Sequence, residues 1–179
     1  MSAPFISKWV NELQIINSAA MHQTESVRVR LFNVYGVGER YTPYRGWIPK
    51  FIFKALNDEP CTVYLGHKRT LEYVGDVCRT FVNIMDNFKP GEVYNFGGDR
   101  QYEVKFVSDL ILNLLGKNDS KVTYKKAESF TTKVKTPDSS RAKRDLSFEL
   151  KVPVEKGMQK TIRWFKKLYS KETGNVRGF

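Results

Sequence analysis

Apolar positions recur at helical spacing from Ile6 through Trp9, Val10, Leu13 and Ile16 to Ala20, which predicts an amphipathic helix over residues 7–21. Lys8 lies on a different face from that stripe. Val27 to Phe32 alternates and then runs apolar into Asn33-Val34-Tyr35-Gly36, the pattern of a strand that empties into a loop. The loop from Gly36 to Trp47 is rich in Gly, Arg and Tyr and is longer than a plain connection needs. Ile48-Pro49 then opens a helix whose apolar face is Phe51, Ile52, Ala55 and Leu56, with proline at an early position where no N–H is required.

Further along, Cys61 to Leu65 reads as a short strand and Gly66-His67-Lys68 as a turn. Arg69 to Val74 is extended, and Asp76 opens a helix through Met85, its carboxylate at the positive end of the helix dipole. Val93 to Phe96 is a strand stopped by Gly97-Gly98. Val104 to Leu115 is a helix closed by Gly116. Val122 to Tyr124 is a short strand, and Ser139 or Ser140 caps a short helix ending near Leu146. Pro153 precedes a last amphipathic helix, with Val154, Met158, Thr161, Ile162, Phe165 and Leu168 on one face. The alternation of helix and strand is an α/β pattern.

Composition narrows this only moderately. The 179 residues, 41% apolar and 13% aromatic, suit a globular chain with a core. No apolar run approaches the ~20 residues of a membrane span, and the start of the chain has no signal-peptide pattern. Cys61 and Cys78 form neither a disulfide framework nor a metal pattern, and His22 and His67 add none, so no metal is expected. Reduced thiols and the absence of a leader pattern lead us to expect a cytoplasmic protein with no membrane partner. The net charge of +11 is concentrated between Lys121 and Lys171, in runs such as Lys125-Lys126 and Arg141-Ala142-Lys143-Arg144. Such runs are ordinarily solvated faces. Nucleic acid is not an expected partner, because no zinc-finger, RNP or KH pattern accompanies the charge.

Five elements in a fixed order carry more information than any of them alone. Ser7-Lys8 stands in the first helix. Arg30-Leu31-Phe32-Asn33-Val34-Tyr35-Gly36 follows, then Arg69-Thr-Leu-Glu-Tyr-Val-Gly-Asp76 and Gly91-Glu-Val-Tyr-Asn-Phe-Gly-Gly98. Last comes Asp138-Ser-Ser-Arg-Ala-Lys-Arg-Asp-Leu146. From about Phe5 to Trp164 the chain resembles the C-terminal half of the NAD-dependent epimerase/dehydratase family. These are extended short-chain dehydrogenases that include sugar-nucleotide 4,6-dehydratases and UDP-glucose 4-epimerases.

The resemblance implies an α/β fold made of the C-terminal part of a Rossmann-type sheet plus a small substrate-binding region, without the N-terminal glycine-rich dinucleotide loop. On that pattern residues 1–35 are the last part of the dinucleotide fold. Residues 36–170 are mainly sugar-nucleotide binding, with 76–98 packing back on the sheet, and 171–179 form a loose tail. Complete members use NAD to take a hydride from sugar C4 and return it. Their lysine, matched by Lys8, hydrogen-bonds the cofactor ribose and lowers the pKa of a tyrosine four residues earlier. Here that position is Pro4, so no complete catalytic set is expected, and turnover by this chain alone is not expected.

For substrate, the resemblance assigns Asn33 and Arg69 to the nucleotide diphosphate, Arg45 to the substrate loop, and Val63 and Tyr64 to the flank of the base. An amide can donate to a phosphate oxygen, and an arginine fork can take two oxygens at once. Asp76 and Asn95 read as structural. A second phosphate-binding arginine that often precedes the Asp138 element is replaced by Lys133 or Lys135. The expected ligand is a UDP- or dTDP-hexose, and NAD, the cofactor of full-length members, is not expected to bind this chain alone. The expected state is a truncated portion of a longer enzyme, a standalone remnant and possible homodimer, or a chain completed by a separate NAD-binding chain. The opening Met1-Ser2-Ala3, immediately before the lysine helix, fits truncation or a new start site. A non-catalytic scaffold and a basic nucleic-acid-binding module are the alternatives.

Overall fold

The computed structural model describes residues 3–44, 46–127 and 131–169. Arg45 and the 171–179 tail therefore lie outside the described residues. In chain order the elements are α1 (Ala3–His22), β1 (Arg28–Leu31), β2 (Val34–Tyr35), α2 (Trp47–Leu56), β3 (Cys61–Leu65), β4 (Lys68–Arg69) and β5 (Glu72–Tyr73). They continue as α3 (Val74–Asp86), β6 (Val93–Phe96), β7 (Tyr102–Glu103), α4 (Val104–Leu115), β8 (Val122–Lys126), α5 (Ser140–Leu146) and α6 (Val154–Tyr169).

The strands form pairs. β1 lies parallel to β6, with Arg28 opposite Val93 and Leu31 opposite Phe96. β2 runs parallel to β5 and β3 parallel to β8, while β4 and β7 are antiparallel. Three parallel pairs need long crossovers, and the intervening helices supply them. The α/β reading from the sequence therefore holds, and β3, β6 and α4 fall within the residues the pattern predicted.

Two apolar clusters hold the layers. One joins α2, α4 and α6 to β3 through Phe51, Ile52, Val63, Ile111, Met158 and Phe165. The other packs α3 and α5 on β6 through Val77, Tyr94, Phe96, Ala142, Leu146 and Phe148. Face-to-face stacking of Phe96 on Phe148, with centroids 5.0 Å apart, brings the segment after α5 onto the β1–β6 layer. On α6 the buried face is Val154, Gly157, Met158, Thr161, Ile162, Phe165 and Tyr169. Leu168, predicted on that face, is only half-buried, and Tyr169 takes its place.

Three local expectations change. Helix α3 begins at Val74 rather than Asp76, because Asp76 in its first turn accepts from Arg79 and from the Val152 N–H at 2.9 Å. Ser139 occupies the position before α5 without capping it by its side chain. Its hydroxyl instead donates to Gly97 O at 2.7 Å, and Asp138 Oδ1 accepts the Ser140 N–H at 3.0 Å. The two-residue strand β7 carries no periodicity by which it could be predicted.

Helix α1 is the exception to good packing. Its apolar stripe faces solvent, with Trp9 55% and Leu13 45% exposed. Glu12 ties it to β1 through a two-point ion pair with Arg30, 2.7 Å at each oxygen. Among the described residues no strand pairs with the second edge of β1. No helix among the described residues is long and apolar enough to cross a membrane.

Candidate functional site

In an open parallel sheet, ligands collect where the strands end at their C-terminal side. Here Asn33 follows the end of β1 and Gly97-Gly98 follows β6, and Glu72 at the start of β5 reaches both. Glu72 is wholly buried. Its Oε2 accepts the Asn33 N–H at 2.6 Å, its Oε1 accepts the Gly98 N–H at 2.8 Å, and its own N–H donates to Asn33 O at 3.2 Å. Burial pushes its carboxyl above the usual carboxylate range, opposed by the Gly98 and Asn33 N–H groups, which favour the ionised form.

The glycines on either side are required by space. Gly36 has φ +148°, and a Cβ there would strike the Val74 side chain. A Cβ on Gly97 would lie 2.7 Å from Pro137 Cβ, and one on Gly98 would lie 2.7 Å from Leu150. This corner is also pinned by side chains. Ser139 Oγ accepts the Gly97 N–H at 3.2 Å, and Asn95 donates to Asp138 O at 2.8 Å, the structural role predicted for that asparagine.

Arg69 lies on β4 opposite Tyr102 of β7. Its guanidinium donates to the carbonyls of Lys68 at 2.7 Å, Thr132 at 2.8 Å and Lys133 at 2.9 Å. Guanidinium has five N–H donors, so this leaves part of the fork unused. Partial burial lowers its pKa without threatening its charge. Gln101 Nε2 fixes the same crossing segment by donating to Lys135 O at 2.8 Å. His67 Nε2 lies 3.0 Å from Thr131 Oγ1, a loop contact.

Beside the glycine corner opens a cleft of about 660 Å³, lined by Gly97, Gly98, Arg100, Tyr102, Lys143 and Glu149 among others. That size suits a small-molecule ligand. Arg100 stacks over the Tyr102 ring at 4.9 Å, and Lys143 pairs with Asp99 at 2.6 Å. A second cavity of about 240 Å³, between α2 and α4, has Cys61 and Ser108 in its wall. Burial raises the Cys61 thiol, which keeps it protonated at neutral pH.

Asn33 is held through its backbone by Glu72, while the Arg69 guanidinium is bonded to the carbonyls of Lys68, Thr132 and Lys133. Val63 is fully buried and belongs to the core, while Tyr64 is half-buried opposite Lys125. Among the described residues β3 has a strand, β8, on one edge alone. Lys8 is exposed on α1, and Pro4 lies in that helix's first turn. Arg45 lies outside the described residues. Sequence reasoning missed Glu72 and Arg100. Glu72 is flanked by Leu71 and Tyr73 in a short apolar segment, and a lone carboxylate there was the available signal.

Residues 3–97 match the NAD dependent epimerase/dehydratase family. This chain belongs to that family. It is 30% identical over 78% of its length to a UDP-N-acetyl-alpha-D-glucosaminuronate decarboxylase of Bacillus cytotoxicus, covering 46% of that protein. It is 27% identical over 79% of its length to a mouse dTDP-D-glucose 4,6-dehydratase, covering 41% of it. Among solved structures it resembles an epimerase of Methanothermobacter thermautotrophicus, with TM-score 0.84 and 25% identity over 94% of this chain and 51% of the other. It also resembles the Thermotoga maritima UDP-glucose 4-epimerase, solved with UDP-glucose, with TM-score 0.79 and 28% identity over 90% of this chain and 52% of the other. The chain spans about half the length of the relatives it matches.

Proposed function

We propose that this chain is the sugar-nucleotide-binding portion of an NAD-dependent epimerase/dehydratase, taking a UDP- or dTDP-hexose. The observation that supports this most directly is the joining of the Asn33 loop and the Gly98 corner by Glu72, just beyond the C-terminal ends of the parallel β1–β6 pair, beside a cleft lined by Gly97, Gly98, Arg100 and Lys143. An amide at Asn33, a guanidinium at Arg69 and a close-approach glycine backbone are groups that suit a diphosphate joined to a sugar. Relatives named for UDP and dTDP sugars favour the same ligand class.

The residues present do not fit NAD. No G-x-G-x-x-G segment occurs in the sequence, and Lys8 stands exposed on α1 with Pro4 one turn before it. We therefore assign no chemical step to these residues. Hydride chemistry would require a dinucleotide-binding half, in the same polypeptide or in another chain. The edge of β1 left unpaired among the described residues and the exposed apolar stripe of α1 favour that addition, since parallel sheets are ordinarily covered on both sides.

Calorimetric titration with UDP-glucose, dTDP-glucose, NAD and inorganic pyrophosphate, at two salt concentrations, tests this reading. Saturable sugar-nucleotide binding stronger than pyrophosphate binding, and lost in Arg69→Ala, is the expected result. Equal weak binding of all anions, falling steeply with salt, would mark a generic basic surface instead.

A further inference from the structure

Resting on the sugar-nucleotide reading of the Asn33 site, we propose that Glu72 is its positioning residue: a buried carboxylate that clasps the Asn33 backbone and thereby fixes the direction in which the Asn33 amide meets ligand. A loop asparagine is ordinarily free to turn with its backbone. Asn33 is not, because both of its backbone polar atoms are bonded to Glu72, at 2.6 and 3.2 Å. The second carboxylate oxygen reaches across to Gly98 N–H at 2.8 Å, so the loop after β1 and the corner after β6 move as one piece.

The location argues against a purely packing role. A leucine would fill the same space between Leu71 and Tyr73 without the penalty of burying a carboxyl. What the carboxylate adds is two acceptors aimed at two N–H groups that sit at strand ends, beyond the reach of the β1–β6 ladder. Those groups belong to the two loops that border the proposed ligand. Preorganising them before ligand arrives removes an ordering cost from binding.

The test is a double-mutant cycle on UDP affinity, measured by calorimetry on the full chain. Glu72→Gln keeps the shape but turns an NH2 toward one of the two N–H groups, leaving that donor without an acceptor. We expect it to weaken UDP binding by about tenfold. In an Asn33→Ala background the same change should alter affinity by less than about twofold. Ile111→Val, a buried helix substitution remote from the loops, should lower the melting temperature and leave affinity unchanged. If Glu72→Gln does not fold, Glu72→Asp, too short to reach both loops, takes its place in the cycle. An equal loss with and without Asn33, or an equal loss in Ile111→Val, would overturn the positioning role alone. Failure of the unsubstituted chain to bind UDP at all would overturn the sugar-nucleotide reading and this role with it.

Discussion

Gly157 on α6 lies directly against the Tyr35 side chain, so close that a Cβ there would overlap the phenol oxygen and stand 3.1 Å from the Tyr73 ring. Tyr35 is buried, and its hydroxyl donates to Val154 O at 3.3 Å, one turn earlier on the same helix. In a helix interior alanine is ordinarily favoured over glycine by about 1 kcal/mol. Here the close approach of helix and ring should reverse that preference. Gly157→Ala is expected to destabilise the chain by about 1–3 kcal/mol, as overpacking does. Urea titration of Gly157→Ala, Tyr35→Phe and the double variant checks it. The double variant should be more stable than the sum of the single losses predicts, because removing the hydroxyl makes room for the methyl. Strict additivity would show that the two side chains do not compete for this space.

Two carboxyls act on stability in opposite directions and separate windows. The buried Glu72 carboxyl lies above its ordinary value of 4.5. The folded state therefore keeps that proton to higher pH than the unfolded state, and stability falls as pH rises from 4.5 through the folded value. Asp145 is held well below its ordinary 3.8 by hydrogen bonds from Arg144 and Lys89. Its contribution is complete above 3.8 and is lost as pH falls through the lower folded value. Unfolding free energies measured against pH should show the advantage of the unsubstituted chain over Glu72→Gln shrinking from pH 4.5 toward neutral. The deficit of Asp145→Asn should be greatest near neutral pH and shrink in acid. A Glu72→Gln difference that grows toward neutral pH would contradict the raised carboxyl.

Arg69 has two tasks that different substitutions should separate. It holds the crossing segment through the Thr132 and Lys133 carbonyls, and on the proposed reading its remaining donors serve the diphosphate. Arg69→Lys keeps the charge but not the fork, so it can satisfy neither task fully. Arg69→Ala is expected to cost about 1–3 kcal/mol of stability through the unpaired carbonyls and to abolish measurable UDP binding. Arg69→Lys should recover part of the stability and little of the affinity. Thermal melts and calorimetry on the same samples measure both. Recovery of affinity in Arg69→Lys would show that charge alone serves the site.

What the sequence disclosed follows from what each element depends on. Helix α4 and strands β3 and β6 are set by local periodicity and by glycines that end them, so their bounds are legible. Family membership is legible through the order of the motifs, among them those carrying Asn33 and Arg69. Glu72 is not legible, because its importance arises from two loops that meet it only after folding, 39 and 26 positions away. The role of Ser139 is hidden for the same reason. Its type and place suggest a helix cap, yet its hydroxyl turns to Gly97, 42 positions earlier. Tertiary hydrogen bonds override local ones where a tight glycine corner has more need of them.

Helix α1 poses the converse case, a local pattern fulfilled without the burial it implies. Its stripe predicts packing, and the helix forms over Ala3–His22, yet Trp9, Leu13 and Ile16 stay exposed. A helix of this length gains most of its stability from packing an apolar face, and among the described residues this face is left exposed. Trp9→Glu with Leu13→Glu should therefore leave unfolding free energy within about 0.5 kcal/mol, as exposed substitutions do. The same pair should sharply reduce binding of a hydrophobic dye and any self-association seen by sedimentation, since contiguous exposed apolar surface drives both. Glu12→Ala, which cuts the tie to Arg30, should cost no more than about 1 kcal/mol but loosen α1, read as faster amide exchange along the helix. If the Trp9 and Leu13 changes instead lower the melting temperature by many degrees, the stripe is packed within the chain. The face would then be part of this chain's own core, and the proposed addition of a dinucleotide-binding half at α1 would fail.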